Sequence, residues 1–425
     1  MKVFFDTIGC RLNQAEIEQM AGEFRAAGHQ IAESAAEADL VIINTCAVTA
    51  AAASDSRQKV RQAHRAGAKQ IVLTGCLATL EPEASEVLPG VNRVFGNSEK
   101  ALIPSLLIGK NEDFELEPLA RIPLPGDRKR TRAFIKVQDG CDNFCTFCVT
   151  RLARGKGVSL SKEHVLREVT AAVEGGSHEV VLSGVHLGSW GKDLGGEETL
   201  TDLVHYLLAH TAIERLRLSS TEPWGLDERF FALWQDPRMC RHLHLPLQSG
   251  SAQVLKRMAR HTTPEKFQAL VATAREKIPD VAITTDIIVG FPGETEDEFN
   301  ESLRFVQEMD FASGHVFKYS LRQGTAAANL PNKVHGSLAH ERSQRMREVL
   351  EVSASRYARN HVNHETTVLW ETASQMTATT WRMGGLTDNY LQVFALAESN
   401  RCNKIDRVKI QSHEAGILVA DILDG

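Results

Sequence analysis

No apolar run in the 425-residue chain approaches the roughly 18 residues needed to cross a bilayer. Asp6 falls within the first ten residues, so neither an anchor nor a secretory signal is legible, and a cytoplasmic protein with no membrane partner is expected. Low-complexity tracts are missing as well. Bulk positive charge is also lacking: 48 Lys and Arg stand against 54 Asp and Glu, a net charge of -6. That excludes a protein that grips nucleic acid along its whole surface, because phosphate binding depends on Lys and Arg. Any RNA contact must be local. The basic stretches available are Arg128, Lys129, Arg130, Arg132 and Lys136, then Lys256, Arg257 and Arg260, then Arg342, Arg345, Arg347, Arg356 and Arg359.

What is present is an ordinary globular composition, 43% hydrophobic and 24% charged, with length for about two to four domains. The first hundred residues alternate strand and helix. Residues 2–8 are apolar and extended, Ile17, Met20 and Phe24 recur at helical spacing, and 39–44 and 70–74 are continuous apolar runs flanking a helical stretch at 54–65. This predicts an α/β fold with a doubly wound parallel sheet over residues 1–112, followed by a Pro-rich linker at 113–130. A second domain, 131–360, offers six strand candidates at 133–138, 179–183, 215–219, 242–247, 281–290 and 315–320, spaced for intervening helices as in a partial (β/α)6 barrel. Residues 361–425 read as five short strands, at 366–371, 377–382, 390–396, 406–411 and 416–422, which fits a small β-barrel like an oligonucleotide-binding fold.

Eight cysteines in a reducing compartment are metal ligands or small buried residues rather than a disulfide framework. Cys141, Cys145 and Cys148 lie in GCDNFCTFC, just past the first barrel strand. Three thiolates can hold three irons of a four-iron cluster and leave the fourth open to a small molecule. The competing reading is zinc, with His164 or Cys240 completing a four-ligand set. Cys10, Cys46 and Cys76 each follow a predicted parallel strand, so all three are expected on the carboxyl edge of one sheet, where open α/β sheets bind ligands. Gly9 and Gly75 would let backbone approach closely there. Cys240 and Cys402 show no such pattern and are expected to be structural.

The motifs TIGCRLNQAE, NTCAVT, TGC and GCDNFCTFC, in this order, resemble the methylthiotransferases of the radical S-adenosylmethionine (SAM) superfamily. The resemblance continues through LSGVHLGSWG, LRLSSTEPW, LHLPLQSGS, LKRMAR, TTDIIVGFPGETEDEF and HVFKYSLRQGTAAA, and ends in GLTDNYLQV within a region similar to the TRAM RNA-binding module. It implies two 4Fe-4S clusters, an auxiliary one on Cys10, Cys46 and Cys76 for sulfur delivery and a SAM-cleaving one on Cys141, Cys145 and Cys148. It also implies that one SAM supplies the methyl group while another yields a 5′-deoxyadenosyl radical that takes hydrogen from an adenine C2. The partners implied are the anticodon stem-loop of tRNA, an electron donor such as flavodoxin or ferredoxin, and a sulfur source.

The family's branches act on isopentenyladenosine in tRNA, on threonylcarbamoyladenosine in tRNA, or on an aspartate of a ribosomal protein. GCRLNQAE with NTCAVT is most similar to the threonylcarbamoyladenosine branch. A noncatalytic iron-sulfur RNA-binding protein is the alternative from another class. SAM is expected across the barrel mouth, against polar residues at strand ends: Ser183, Ser219, Glu222, Gln248 and Asp286. Gly293, Glu294 and Thr295 form a further barrel-top turn, although Thr295 with Glu298 also fits a helix capping box. Of His242 and His244, alternating on one strand, at most one should face the site. In the terminal module five Lys or Arg meet eight Asp or Glu from His364 onward. Trp370, Trp381, Tyr390 and Phe394 there are either base-stacking or core residues.

Overall fold

The computed structural model describes residues 1–109 and 131–423. The expected linker, with Arg128, Lys129 and Arg130, lies outside them. The chain divides into two compact units, residues 1–144 with 148–213, and residues 145–147 with 214–425.

In the first unit, β1 (Lys2–Thr7), β2 (Gln30–Ile31), β3 (Leu40–Thr45), β4 (Ile71–Gly75) and β5 (Val91–Val94) form a parallel sheet in the order β2-β1-β3-β4-β5. Every residue of β3 and β4 is buried, which is why both read as unbroken apolar runs without alternation. Helix α1 (Arg11–Ala26) covers one face, packing Ile17, Met20 and Phe24 on Phe5 and Ile42. Helix α2 (Ala50–Arg65), N-capped by Thr49, covers the other with Val60 on Val41, Ile43 and Leu73. The sheet is thus wound on both faces, and its strand order reverses between β1 and β3.

The same unit carries two parallel strands of the barrel, Arg132–Lys136 and Glu179–Ser183, in register from Arg132 opposite Glu179 to Lys136 opposite Ser183. Ala15 of α1 packs on their Phe134 and Val181. Helix α1 is therefore covered on two sides, and Asn13, on the Ile17, Met20 and Phe24 stripe, and Glu16, on its flank, are 0% and 4% exposed.

The second unit holds strands Arg215–Leu218, His242–His244, Ala282–Val289 and Ser313–Lys318, the last three hydrogen-bonded in parallel. Thr295 and Glu298 form the expected capping box at the start of helix Glu296–Met309. After helix Gly336–Arg359 the chain closes a five-stranded barrel from Glu365–Gln375, Trp381–Thr387, Gln392–Ala397, Ile405–Glu414 and Ile417–Ile422, around Val368, Trp370, Met383, Val408 and Ile410.

Its second strand departs from the expected 377–382. Residues 376–380 make a turn, with the Met376 and Thr377 N–H groups donating to Thr380 O, and the strand runs on through Gly384 and Gly385, which read as a turn in the sequence. A side chain at 384 would meet the Phe394 ring at 2.8 Å, so these glycines serve barrel packing rather than chain reversal.

Within this unit the barrel is held to the parallel strands by the buried Arg215 and Arg217 and the half-buried Arg241. Arg215 donates to Leu386 O (3.2 Å), Thr367 O (2.8 Å) and Thr367 Oγ1 (2.7 Å), Arg217 to Asp388 O (2.8 Å) and Thr387 O (3.2 Å), and Arg241 to the Asp388 carboxylate at 2.6 and 3.1 Å.

Candidate functional site

Cys10 directly precedes α1, Cys46 follows β3, and Cys76 opens the short helix Cys76–Leu80 after β4. Because β1, β3 and β4 are neighbours and parallel, the three residues stand on one sheet edge, across the point where strand order reverses. Gly9, at φ +108°, makes the approach possible, since a side chain there would fall 2.6 Å from Cys46 Cβ and 2.8 Å from its Sγ. The thiols sense one another. Burial first, then Cys10 and Cys76, push the Cys46 thiol up to about 11, against the Val48 N–H and Arg154. Surrounding protein likewise raises Cys10, with Arg154 opposing.

Among the described residues no three His, Cys, Asp or Glu side chains converge tightly enough for a single metal ion. A four-iron cluster takes each thiolate on a different iron and so requires a wider set. The Cys10, Cys46 and Cys76 edge suits that chemistry: three thiols, a glycine that clears space beside them, and fixed positive charge nearby. The charge comes from a network the sequence did not reveal. Glu16 accepts from Lys100 Nζ (2.6 Å) and from both terminal nitrogens of Arg154 (2.9 and 3.2 Å), with Lys136 3.6 Å away. Burial alone would raise the Glu16 carboxyl, but Lys100, Arg154 and Lys136 override it and hold it well below the usual range.

Cys141, Cys145 and Cys148 lie on an irregular loop. Each sulfur meets a donor: Asn143 N at 3.4 Å for Cys141, Thr150 N at 3.4 Å for Cys148, and Arg260 Nη1 at 3.7 Å for Cys145. Arg260 is itself buried, donating also to Glu222 and Pro246 O, both at 2.6 Å, with Trp224 4.5 Å from its guanidinium. It belongs to the Cys145 site rather than to an RNA surface.

Of the expected SAM contacts, Glu222 is engaged by Arg260. Gln248, at φ +74°, is clasped through its backbone by Asp286 O and Ile288 N, each at 2.8 Å. Asp286 Oδ2 lies 3.2 Å from His244 Nε2, whereas His242 is buried and stacked 4.4 Å from Tyr390. Ser219 has a buried hydroxyl with no hydrogen-bond partner among the described residues, and Ser183 donates back to Val181 O at 3.4 Å. Glu294, on the turn after the strand, is drawn into a buried pair with Arg342 at 2.8 Å.

The basic residues considered for RNA are largely committed elsewhere. Arg257 pairs with Glu298, Arg345 with Glu296 and Arg356 with Asp310, while Arg347 donates to a backbone carbonyl. Of the barrel aromatics, Trp370 is core, its indole donating to Asp406 at 2.7 Å, and Trp381 is half-buried against the same core. Tyr390 lies against His242 and 5.1 Å from the Arg217 guanidinium. Phe394 is half-buried, with the exposed Arg382 4.4 Å above its ring. Cys240 is buried, as expected of a structural residue. No helix among the described residues is long and apolar enough to cross a membrane.

Residues 135–306 match the model of the Radical SAM superfamily and residues 2–96 that of Uncharacterized protein family UPF0004. The threonylcarbamoyladenosine tRNA methylthiotransferase MtaB of Bacillus subtilis (strain 168) is 35% identical over 422 residues, covering 96% of this chain and 93% of that protein. The tRNA-2-methylthio-N(6)-dimethylallyladenosine synthase of Clostridium tetani is 33% identical over 423 residues, with the same coverage of 96% and 93%. Among solved structures, the radical S-adenosylmethionine methyltransferase TsrM from Kitasatospora setae shares the fold, with a TM-score of 0.55 at 16% identity over 77% of each chain. With two cysteine groups placed as described and identity above 30% along nearly its whole length, the chain belongs to the radical SAM methylthiotransferase family.

Proposed function

We propose that the protein converts N6-threonylcarbamoyladenosine, next to the anticodon of tRNA, to its 2-methylthio derivative. The convergence of Cys10, Cys46 and Cys76 on one sheet edge carries this reading, because a radical SAM enzyme needs no second thiol group unless a second cluster takes part. Both tRNA relatives are similar to the chain to nearly the same degree, so the choice of base rests on the GCRLNQAE and NTCAVT motifs.

Cys141, Cys145 and Cys148 would hold one 4Fe-4S cluster and Cys10, Cys46 and Cys76 the other; when bound, they supply reductive cleavage of SAM and the sulfur to be transferred. The chain contributes the setting. The Asn143 and Thr150 N–H groups and Arg260 donate to the first group's sulfurs and orient them. Burial of Cys46 and Cys76 keeps water from two of the second group's sulfurs, while Cys10 is exposed. Ser219, with its unpartnered hydroxyl, and Asp286, within its strand beside His244, are proposed to bind SAM.

The test is anaerobic reconstitution, followed by assay of iron, 5′-deoxyadenosine and modified nucleosides with tRNA bearing either threonylcarbamoyladenosine or isopentenyladenosine. About eight irons per chain and methylthiolation of the first tRNA are expected. Product from the isopentenyladenosine tRNA alone would overturn the substrate, and iron without deoxyadenosine would overturn the enzyme.

A further inference from the structure

Six residues after Cys148, Arg154 ends the short helix Thr150–Arg154 with its side chain 2% exposed. Nη1 donates to Glu16 Oε1 and to Asp139 Oδ1 at 2.8 Å, and Nη2 to Glu16 Oε2 and to Asn13 Oδ1 at 2.6 Å. Asn13 gives these contacts their reach. Its amide nitrogen holds Ile8 O (2.8 Å) and Thr45 O (3.0 Å), the backbone just before Cys10 and Cys46, and its oxygen lies 3.8 Å from Cys10 Sγ. One residue before Arg154, Ala153 O accepts from Asn97 Nδ2 at 2.8 Å, and that same nitrogen lies 3.8 Å from Cys76 Sγ. The Cys10 and Cys76 sulfurs and the backbone just before Cys46 are thus reached through one side chain from the helix that leaves Cys148.

A buried pair kept only for stability would need one carboxylate opposite one cation. Here Arg154, Lys100 and Lys136 face Glu16 and Asp139, which leaves one positive charge in surplus beside three thiols. The guanidinium fork is also the side chain that can bind a carboxylate, an amide oxygen and a second carboxylate in one plane; an ammonium cannot.

We propose that Arg154 is a positioning residue: it holds the helix after the Cys141–Cys148 loop in register with the Cys10, Cys46 and Cys76 edge, and its fixed charge faces that edge. The inference rests on the two-cluster reading above. Glu16, Asn13 and Asn97 complete the mooring. Loss of the fork uncouples SAM cleavage from product formation without emptying either cysteine group.

The test uses the full chain, reconstituted anaerobically, as wild type and as Arg154→Gln, Arg154→Lys and Asn97→Ala. Each is read for iron per chain and for the ratio of 5′-deoxyadenosine to methylthio nucleoside. The midpoint potential of the second cluster is read in a background that also carries C141A, C145A and C148A. In R154Q iron is expected to stay at the wild-type level while the ratio rises at least about tenfold, since an ångström of misplacement costs on the order of a hundredfold. The potential shifts negative as a positive charge is lost. R154K restores the potential but not the ratio, and N97A raises the ratio alone.

A wild-type ratio in R154Q overturns the proposal, as does R154K matching wild type in both readouts, because charge alone would then suffice. Should R154Q not fold, N97A decides, and an unchanged ratio there overturns the mooring. If wild type itself holds only about four irons, the two-cluster reading falls and this inference with it. A normal wild type beside a normal R154Q sinks Arg154 alone.

Discussion

Arg217→Met measures how firmly the C-terminal barrel is joined to the parallel strands of its unit. Arg217 is 0% exposed and supplies donors to two consecutive carbonyls, Thr387 O and Asp388 O, while Tyr390 lies 5.1 Å from its guanidinium. Hydrogen bonds from a charged donor contribute about 1.5–3 kcal/mol each, so the two account for roughly 3–6 kcal/mol. Methionine fills much of the same volume and removes the cost of keeping a guanidinium buried, which returns part of that sum. A net loss of about 3 kcal/mol is expected, or a fall of roughly 6–12 °C in the transition of a unit this size.

Arg217→Lys should fall between, because one ammonium cannot hold both carbonyls in the fork's geometry. Thermal unfolding followed by tyrosine and tryptophan fluorescence reads the shift, and limited proteolysis across residues 360–364 reads barrel release. A midpoint within about 2 °C of wild type, with unchanged proteolysis, would refute the view that the turn is held by this arginine.

Four further outcomes are expected. Asp388 is pulled up by burial but further down by its hydrogen bond and charge contact with Arg241, then by Arg215 and Arg217, so its carboxyl sits below the usual range. Folding favours the ionised form; the contribution is complete above about pH 4 and fades as pH falls through the lowered value. Acid titration of stability should therefore be shallower in D388N. Gly75→Ala would set a Cβ 2.3 Å from Thr45 O at φ +99°, whereas Gly28→Ala, also at positive φ, meets nothing within 4 Å. The first should abolish iron uptake at the sheet edge and the second cost about 1–2 kcal/mol in a melt.

Arg342→Met should destabilise by about 3–5 kcal/mol by orphaning the buried Glu294. Burial outweighs Gly290 N and Arg342 and raises the Glu294 carboxyl, so its contribution is lost as pH rises; relative to E294Q, wild type should lose stability as pH climbs above the ordinary carboxylate range. Cys240→Ala and Cys402→Ala should leave iron content unchanged, and a loss of about four irons in either would contradict the assignment of ligands.

The sheet edge was legible because two rules act together on local sequence. A fully buried parallel strand must be an apolar run, and the ends of such strands share an edge, so Cys10, Cys46 and Cys76 could be placed together without any contact information. The mooring was not legible, for an equally physical reason. Asn13 shares the helical stripe of Ile17, Met20 and Phe24 on α1, so the period buries it, but Glu16 lies on the flank of that stripe, where a one-sided helix meets water. Glu16 is buried among Lys100, Lys136 and Arg154, distant in sequence, which leave no periodic trace in α1 itself.

The signal that did exist was chemical. An Asn, a Gln and a Glu crowd the first turns of a helix that starts on a cysteine, and an Arg follows the second cysteine group by six residues. The basic stretches misled in the opposite direction. Arg260 and Arg342 looked like surface charge in the sequence, yet both are buried against carboxylates of their own unit, because long-range partners cancel charge that a local window counts as free. A cation's availability to RNA is thus fixed by the fold and not by charge density along the chain.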